Sequence, residues 1–357
     1  MHQWPDTRIL DLLGIELPIL QAPMAGSTGS AMAIAVSNAG GLGSLPCATL
    51  SHEQIRQELQ AFQQASSRPL NVNFFCHQPP IPDPQREARW KASLQGYYRE
   101  LGADFDAPTP VSSRAPFDET ACALVEEFGP AVVSFHFGLP APHLLARVKA
   151  SGAKVLSSAT TVAEARWLEQ HGCDAIIAMG YEAGGHRGMF LCEDLATQVG
   201  TLALVPQIVD AVRVPVIAAG GIGDARGIVA AFALGAGAVQ LGTAYLFCPE
   251  AKISPSYRQA LATARESDTA LTNLFTGRPA RGINTRIMHE LGPMNADAPA
   301  FPLAGGALMP LRAISEPVGN TDFSNLWSGQ AARLGVEMPA GELTKKLAAE
   351  ALLKLGR

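Results

Sequence analysis

Short apolar runs alternate along the chain with longer stretches in which apolar residues recur at helical spacing. The runs that read as buried strands are Pro18–Met24, Gly41–Pro46, Leu70–Cys76, Ala131–Gly138, Ala153–Ala159, Asp174–Gly180, Val214–Gly221 and Ala236–Leu246. Each is short, apolar and bounded by glycine, proline or polar residues, as a strand buried on both faces should be. The stretches between them carry helix signals. His52–Ala65 sets Ile55, Leu59 and Phe62 on one face. Asp118 is placed to cap a helix to Phe128 that Gly129-Pro130 ends. Thr160 or Thr161 caps one running to His171, and Asp224 opens one that Gly235 closes. Ser30–Ala39, Pro142–Ala150 and Thr201–Val212 complete the set.

Eight strand–helix units predict an α/β fold, a TIM-type (β/α)8 barrel in preference to a doubly wound open sheet. Two connections are long. One is an insertion over 77–116 carrying Trp90, Tyr97 and Tyr98, and the other is the loop Tyr181–Gly200. Past Cys248 the pattern turns irregular, with a helix at Ser254–Ala264, a short strand at Leu271–Thr276 and a last helix at Glu342–Leu355. The expected organisation is therefore a barrel over 1–248, with 249–357 as a C-terminal cap and tail that partly packs back on it. Insertion and tail together are expected to close the barrel mouth.

Composition narrows the classes. Of 357 residues, 47% are hydrophobic, enough for a large core and against a disordered chain. The net charge is −5 with no Lys/Arg-rich run, which argues against nucleic acid as a partner. Gly227–Pro249 is uncharged and long enough to span a bilayer. Its Gly235, Gly237, Gln240, Gly242 and Thr243 instead read as a helix, a turn and a strand, so no membrane partner is expected. Asp6, Asp11 and Glu16 interrupt any signal-peptide core. The six cysteines form no C-x-x-C pair and read as free thiols of a cytoplasmic protein. A homodimer is left open.

Four segments carry candidate chemistry. Gly220-Gly221-Ile222-Gly223 follows the seventh strand and Gln240-Leu241-Gly242-Thr243 ends the eighth, the pair of loops where barrels commonly bind phosphate. Gly184-Gly185-His186 follows the sixth strand, and a glycine-flanked histidine at that end reads as catalytic. His136 ends the fourth strand and faces the same mouth. Gln21-Ala-Pro-Met24 and Asn73 offer a small-residue wall and an amide for a flat heteroaromatic ring. A phosphate-bearing planar cofactor, with FMN the natural candidate, satisfies all four. No histidine or carboxylate spacing supports a metal.

The series QAPMAG, NVNFF, SFHFGLP, GYEAGGHRG, PVIAAGGIGD and QLGTAYL resembles the nitronate monooxygenase family, and SFHFG with LWSGQ its class I branch. The resemblance implies a non-covalent FMN held by Met24, Asn73, Gly184, Gly221 and Gln240 to Thr243. It also implies His186 as the catalytic histidine and His136 lining the substrate site. The implied reaction is oxidative denitrification, in which an alkyl nitronate and O2 yield a carbonyl compound and nitrite. Met179 departs from the pattern, standing where the family usually has a glutamine beside the flavin. The alternatives are an NAD(P)H-dependent quinone or enoyl reductase of the same superfamily, and a non-catalytic flavin-binding protein.

Overall fold

The computed structural model describes residues 4–110 and 114–356. Residues 111–113, part of the expected insertion, lie outside the described residues. The strands in chain order are β1 (Ile19–Gln21), β2 (Gly43–Pro46), β3 (Leu70–Phe75), β4 (Val132–His136), β5 (Lys154–Ala159), β6 (Ala175–Met179), β7 (Gly185–His186), β8 (Val216–Ala219), β9 (Ala238–Leu241), β10 (Thr269–Thr272) and β11 (Ala280–Ile283). Eight of them pair in parallel in the order β1-β9-β8-β6-β5-β4-β3-β2. The ends meet at Leu20 and Leu42. There the Gln21 amide donates to the Leu42 carbonyl at 2.9 Å and the Leu42 amide to that of Ile19 at 3.0 Å. The closed barrel is the expected one.

Period-two alternation sorts the strand residues. One set, including Leu20, Leu42, Val132, Leu156, Ile177 and Ile217, fills the lower barrel. The helix Arg8–Leu13 plugs that end with Ile9 and Leu13. The opposite set, including Ile19, Val72, Val133, Val155, Ile176 and Val239, packs under the surrounding helices. Higher up, the inward positions stop being aliphatic. Asn73, Ser134, His136, Ser158, Met179 and Gln240 line the mouth.

The expected eighth strand, Ala236–Leu246, is split. β9 ends at Leu241, Gly242 turns the chain and Thr243–Leu246 is a helical turn. The first strand likewise stops at Gln21, and the Ser27 amide closes a turn onto the Met24 carbonyl at 2.9 Å. Both strands end early because the chain turns to form the mouth.

The tail divides in two. The C-terminal helix Ala340–Lys354 packs against Ser30–Asn38 and Ala225–Ala233, taking the barrel's last outer position. Leu343, Leu347 and Ala351 are buried there, and the Tyr245 and Thr344 hydroxyls bond at 2.7 Å. The intervening chain joins the insertion helices Pro84–Ser93 and Gln95–Leu101 in a second core. Trp90, Leu94, Tyr97 and Tyr98 meet Leu274, Phe275, Met288, Leu308 and Phe323 in it. Trp90 Nε1 donates to the Ala304 carbonyl at 2.9 Å and the Tyr98 hydroxyl to that of Ala307 at 2.6 Å. β10, β11 and β7 form a separate antiparallel sheet.

If the C-terminal helix is an outer helix of the barrel, truncating its core contact is a barrel mutation. Leu347→Ala is expected to cost about 2–5 kcal/mol, read as a lowered urea midpoint. An unchanged midpoint would contradict this packing.

Candidate active site at the barrel mouth

After β8 the backbone enters left-handed space at Gly220 (φ 107°) and Gly221 (φ 70°), where a Cβ would be strained. Among the described residues, the N–H groups of Gly221, Ile222 and Gly223 donate to no protein acceptor. Asp224 then caps the helix Ala225–Ala233 through the Arg226 amide at 2.9 Å. After β9, the Thr243 hydroxyl accepts the Gly329 N–H at 2.9 Å, which draws the Trp327–Gln330 segment over the turn. A Cβ on Gly184 would come within 2.5 Å of that segment's backbone. Buried Gln240 Oε1 has no partner. Three unpaired amides on a glycine turn suit a terminal phosphate, and an orphaned buried amide oxygen calls for a ligand donor. The cleft holds about 1390 Å³ of space counted out to its open side. The residues present fit a phosphate-bearing flat cofactor.

Met24, Asn73, Met179, Gly184, Gly221, Gln240, Gly242, Thr243, His136 and His186 all line this one cleft. Leu241 does not. It follows inward Gln240 in the alternation, so its side chain is buried in the core beneath the helices and away from the cleft where a cofactor contact was expected. Asn73 Nδ2 is held by Ser134, at 2.9 Å to the hydroxyl and 3.2 Å to the carbonyl.

His186 is not on a loose glycine loop, as the sequence suggests. Gly185 and His186 form β7, which pairs antiparallel with β11 through Arg281 and Ala280. The Arg187 amide continues the pairing to the Pro279 carbonyl at 2.9 Å. Arg187 is fully buried and donates to the carbonyls of Gly180 (2.6 Å) and Met179 (2.8 Å) and to Gln198 Oε1 (2.9 Å). His186 Nε2 lies 2.9 Å from the Thr276 hydroxyl, which donates to the Arg278 carbonyl at 3.3 Å. A hydroxyl has one proton to give. With that proton on the carbonyl, Thr276 accepts from Nε2–H, and Nδ1 of His186 keeps its lone pair.

Aromatic rings surround this imidazole. Phe301 stands 5.3 Å away, Trp327 5.4 Å, and Phe75 and Phe137 6.1 Å each, centroid to centroid. Phe137 is the one described non-glycine residue with positive φ, at 69°. A conformation of that kind costs on the order of 1–3 kcal/mol and is kept where the surroundings enforce it. Here the Ser157 hydroxyl braces the turn against the Phe135 and Gly138 carbonyls. The Arg278 guanidinium covers the Phe137 ring at 4.3 Å.

The pocket's electrostatics follow from burial beside cations. His186 is pushed well below the ordinary imidazole value by burial, then by Arg114, His136, Arg278 and His77. Burial first, and then Arg278 and Arg187, bring His136 down to about 4, against the opposing effect of the hydrogen bond it donates to the His186 carbonyl. His77 is also lowered to about 4, by burial, Arg278 and Arg114. It is 5% exposed, its Nδ1 has no partner, and it meets the Phe301 ring edge-on at 4.8 Å. Burial and the nearby arginines thus favour the neutral form of all three imidazoles. His77, Ser158, Thr276, Arg278 and Phe301 are additions to the sequence reading. Alternation along the fifth strand turns Ser158 inward. Nothing local in the sequence marks the other four.

A profile of the family described as nitronate monooxygenase matches residues 6–350. A nitronate monooxygenase of Pseudomonas aeruginosa is 43% identical over 349 residues, covering 96% of this chain and 98% of its own. Among solved structures, a nitroalkane oxidase from Streptomyces ansochromogenes superposes with a TM-score of 0.89 at 36% identity, covering 98% of this chain and 100% of its own. FabK from Thermotoga maritima reaches 0.76 at 29% identity, covering 99% and 98%.

A buried imidazole at about 4, against 6.5 when unfolded, means the unfolded chain binds more protons between those values. Stability therefore falls as pH drops from neutrality towards 4. His77→Phe keeps the aromatic packing and removes both the titration and the orphaned nitrogen. Unfolding in urea at about pH 7.5 and about pH 5 should show a smaller acid loss in the variant. An acid loss equal to the parent's would remove His77 from this account.

Proposed function

The chain belongs to the nitronate monooxygenase family, and we propose that FMN is its flavin and that His186 works on the substrate above it. Like its relatives it is a flavin-dependent enzyme acting on nitronates with O2. The finer assignments rest on one observation. A single cleft brings the unpaired amides of the Gly221–Gly223 turn together with a cap-held imidazole that burial, Arg114 and Arg278 keep neutral.

Gly221, Ile222, Gly223 and Thr243 would hold the phosphate. Gln240 Oε1 and Asn73 would meet the ring system, and Met24, Met179 and Gly184 would bound it. Bound FMN supplies the electron acceptance that carbon–nitrogen oxidation by O2 requires. A nitronate is an anion, and Arg114 and Arg278 near His186 favour its entry. A neutral nitroalkane must first lose its α-proton. His186 takes it at Nδ1 while Thr276 holds Nε2–H. The same arginines that keep the imidazole neutral stabilise the nitronate as it forms, and the imidazolium then pairs with that anion. Phe75, Phe301 and Trp327 exclude water, which strengthens each of these interactions. No observation favours the reductase or the non-catalytic reading. Five buried free thiols support a cytoplasmic setting, and no helix among the described residues is long and apolar enough to cross a membrane.

His186→Asn is expected to keep its flavin. It should lose about 10²–10⁴-fold in kcat/KM on a neutral nitroalkane and much less on preformed nitronate. Steady-state kinetics on both forms, with nitrite assayed, checks this, and full activity on both would exclude His186. Separately, heat should release FMN from the native protein. Gly221→Leu should purify with little flavin, because a side chain there strains the turn and meets Glu182. Released FAD, or full occupancy in the variant, contradicts the cradle.

A further inference from the structure

The imidazole of His136 has both nitrogens engaged inside the protein. Nε2 lies 3.2 Å from the carbonyl oxygen of His186. A carbonyl only accepts, so Nε2 carries the hydrogen. A neutral imidazole has one N–H, which leaves Nδ1 as an acceptor. The Ser158 hydroxyl, 2.6 Å from Nδ1, must therefore donate. No nitrogen of His136 remains for a substrate atom. Gly188, two residues beyond His186, lies flush on the pair. A Cβ there would fall 2.7 Å from Ser158 Oγ and 3.0 Å from His136 Cε1. The last glycine of the GGHRG motif thus gives the backbone room to pass over this hydrogen bond.

We propose that Ser158 and His136 are positioning residues for His186. The serine hydroxyl selects the Nε2–H tautomer, and that N–H clamps the His186 backbone from the barrel side while β11 holds it from the cap side. His186 is thereby fixed at a barrel strand and a cap strand at once. Loss of either hydrogen bond lets the residue drift relative to the barrel, and a base out of line transfers protons more slowly at unchanged affinity. This rests on the reading of His186 as the reacting group, but its structural half can be tested without turnover.

The first measurement is the ¹⁵N spectrum of histidine-labelled, flavin-loaded protein, with the His136 signals identified by their loss in His136→Gln. Native protein should show the Nε2–H tautomer with a hydrogen-bonded Nδ1. In Ser158→Ala the Nδ1 signal should move to its unbonded position or the two tautomers should mix. Gly188→Ala, which pushes into the same bond, should do the same. A native Nδ1–H tautomer, or no change in Ser158→Ala, overturns the proposal whether or not the protein turns over nitronates.

The second measurement is the split of rate from affinity on a neutral nitroalkane. Ser158→Ala should lower kcat about tenfold, the scale of one lost hydrogen bond, with KM nearly unchanged. His136→Gln can still reach the His186 carbonyl from about the place of Nε2 and should recover most of kcat. The Asn amide of His136→Asn falls nearer the place of Nδ1 and should not. Equal effects of both substitutions, on KM alone, would make His136 a substrate contact and refute the clamp. Failure of all activity in native protein would count against the functional reading and leave the spectra to decide this one.

Discussion

A two-residue antiparallel pairing carries the site. Gly185 and His186 meet Arg281 and Ala280, joining a loop of the barrel to the sheet of the cap. Without it, His186 would sit on a glycine loop with little reason to hold one orientation. With it, the imidazole is referred to two bodies whose cores are separate. One is the aliphatic core between the strands and their outer helices, and the other is the aromatic cluster of Trp90, Tyr97, Tyr98 and Phe323. The cap thus helps to position His186 through β11.

The same arrangement sets the charge of the pocket. Arg187 and Arg281 are both almost wholly buried, and both spend their N–H groups largely on carbonyl oxygens around β7. Arg278 stacks on Phe137 and donates to the Met189 carbonyl at 2.6 Å. Arg187 and Arg281 are held mainly by carbonyls, and Arg278 also pairs at 3.6 Å with the exposed Glu193 carboxylate, so Arg278 and Arg114 still act as cations on the buried His186. A histidine there stays neutral and an anion is welcome. Those are the two requirements of a site that accepts nitronates and can make them from nitroalkanes.

Much of the frame was legible in the sequence, because a strand buried on both faces and an amphipathic helix leave different periods. The eight strands fall within the eight apolar runs, and Asp118, Thr161 and Asp224 cap the helices they were expected to cap. The glycine turn at Gly220-Gly221 was legible because left-handed backbone there calls for glycine. What was hidden depends on pairing across distance. Nothing near Arg278 or Thr276 says that 90 residues separate the hydroxyl from the imidazole it holds. The bonding of His136 to Ser158, 22 residues on, becomes visible only once β4 and β5 are side by side. The Leu241 side chain lies off the cleft because a motif transfers as a string, whereas a strand divides its residues between two faces.

Burial beside Arg114 and Arg278 keeps His186 neutral, and β11 holds it fixed. The pH dependence of kcat/KM on a neutral nitroalkane, measured in the flavin-loaded native protein, tests it most directly. A base depressed well below the ordinary imidazole value should give a profile with no inflection near pH 6.5, the rate holding level as the solution is acidified past that point. A rate that halves at the ordinary imidazole value would mean a solvated histidine, and would contradict the account.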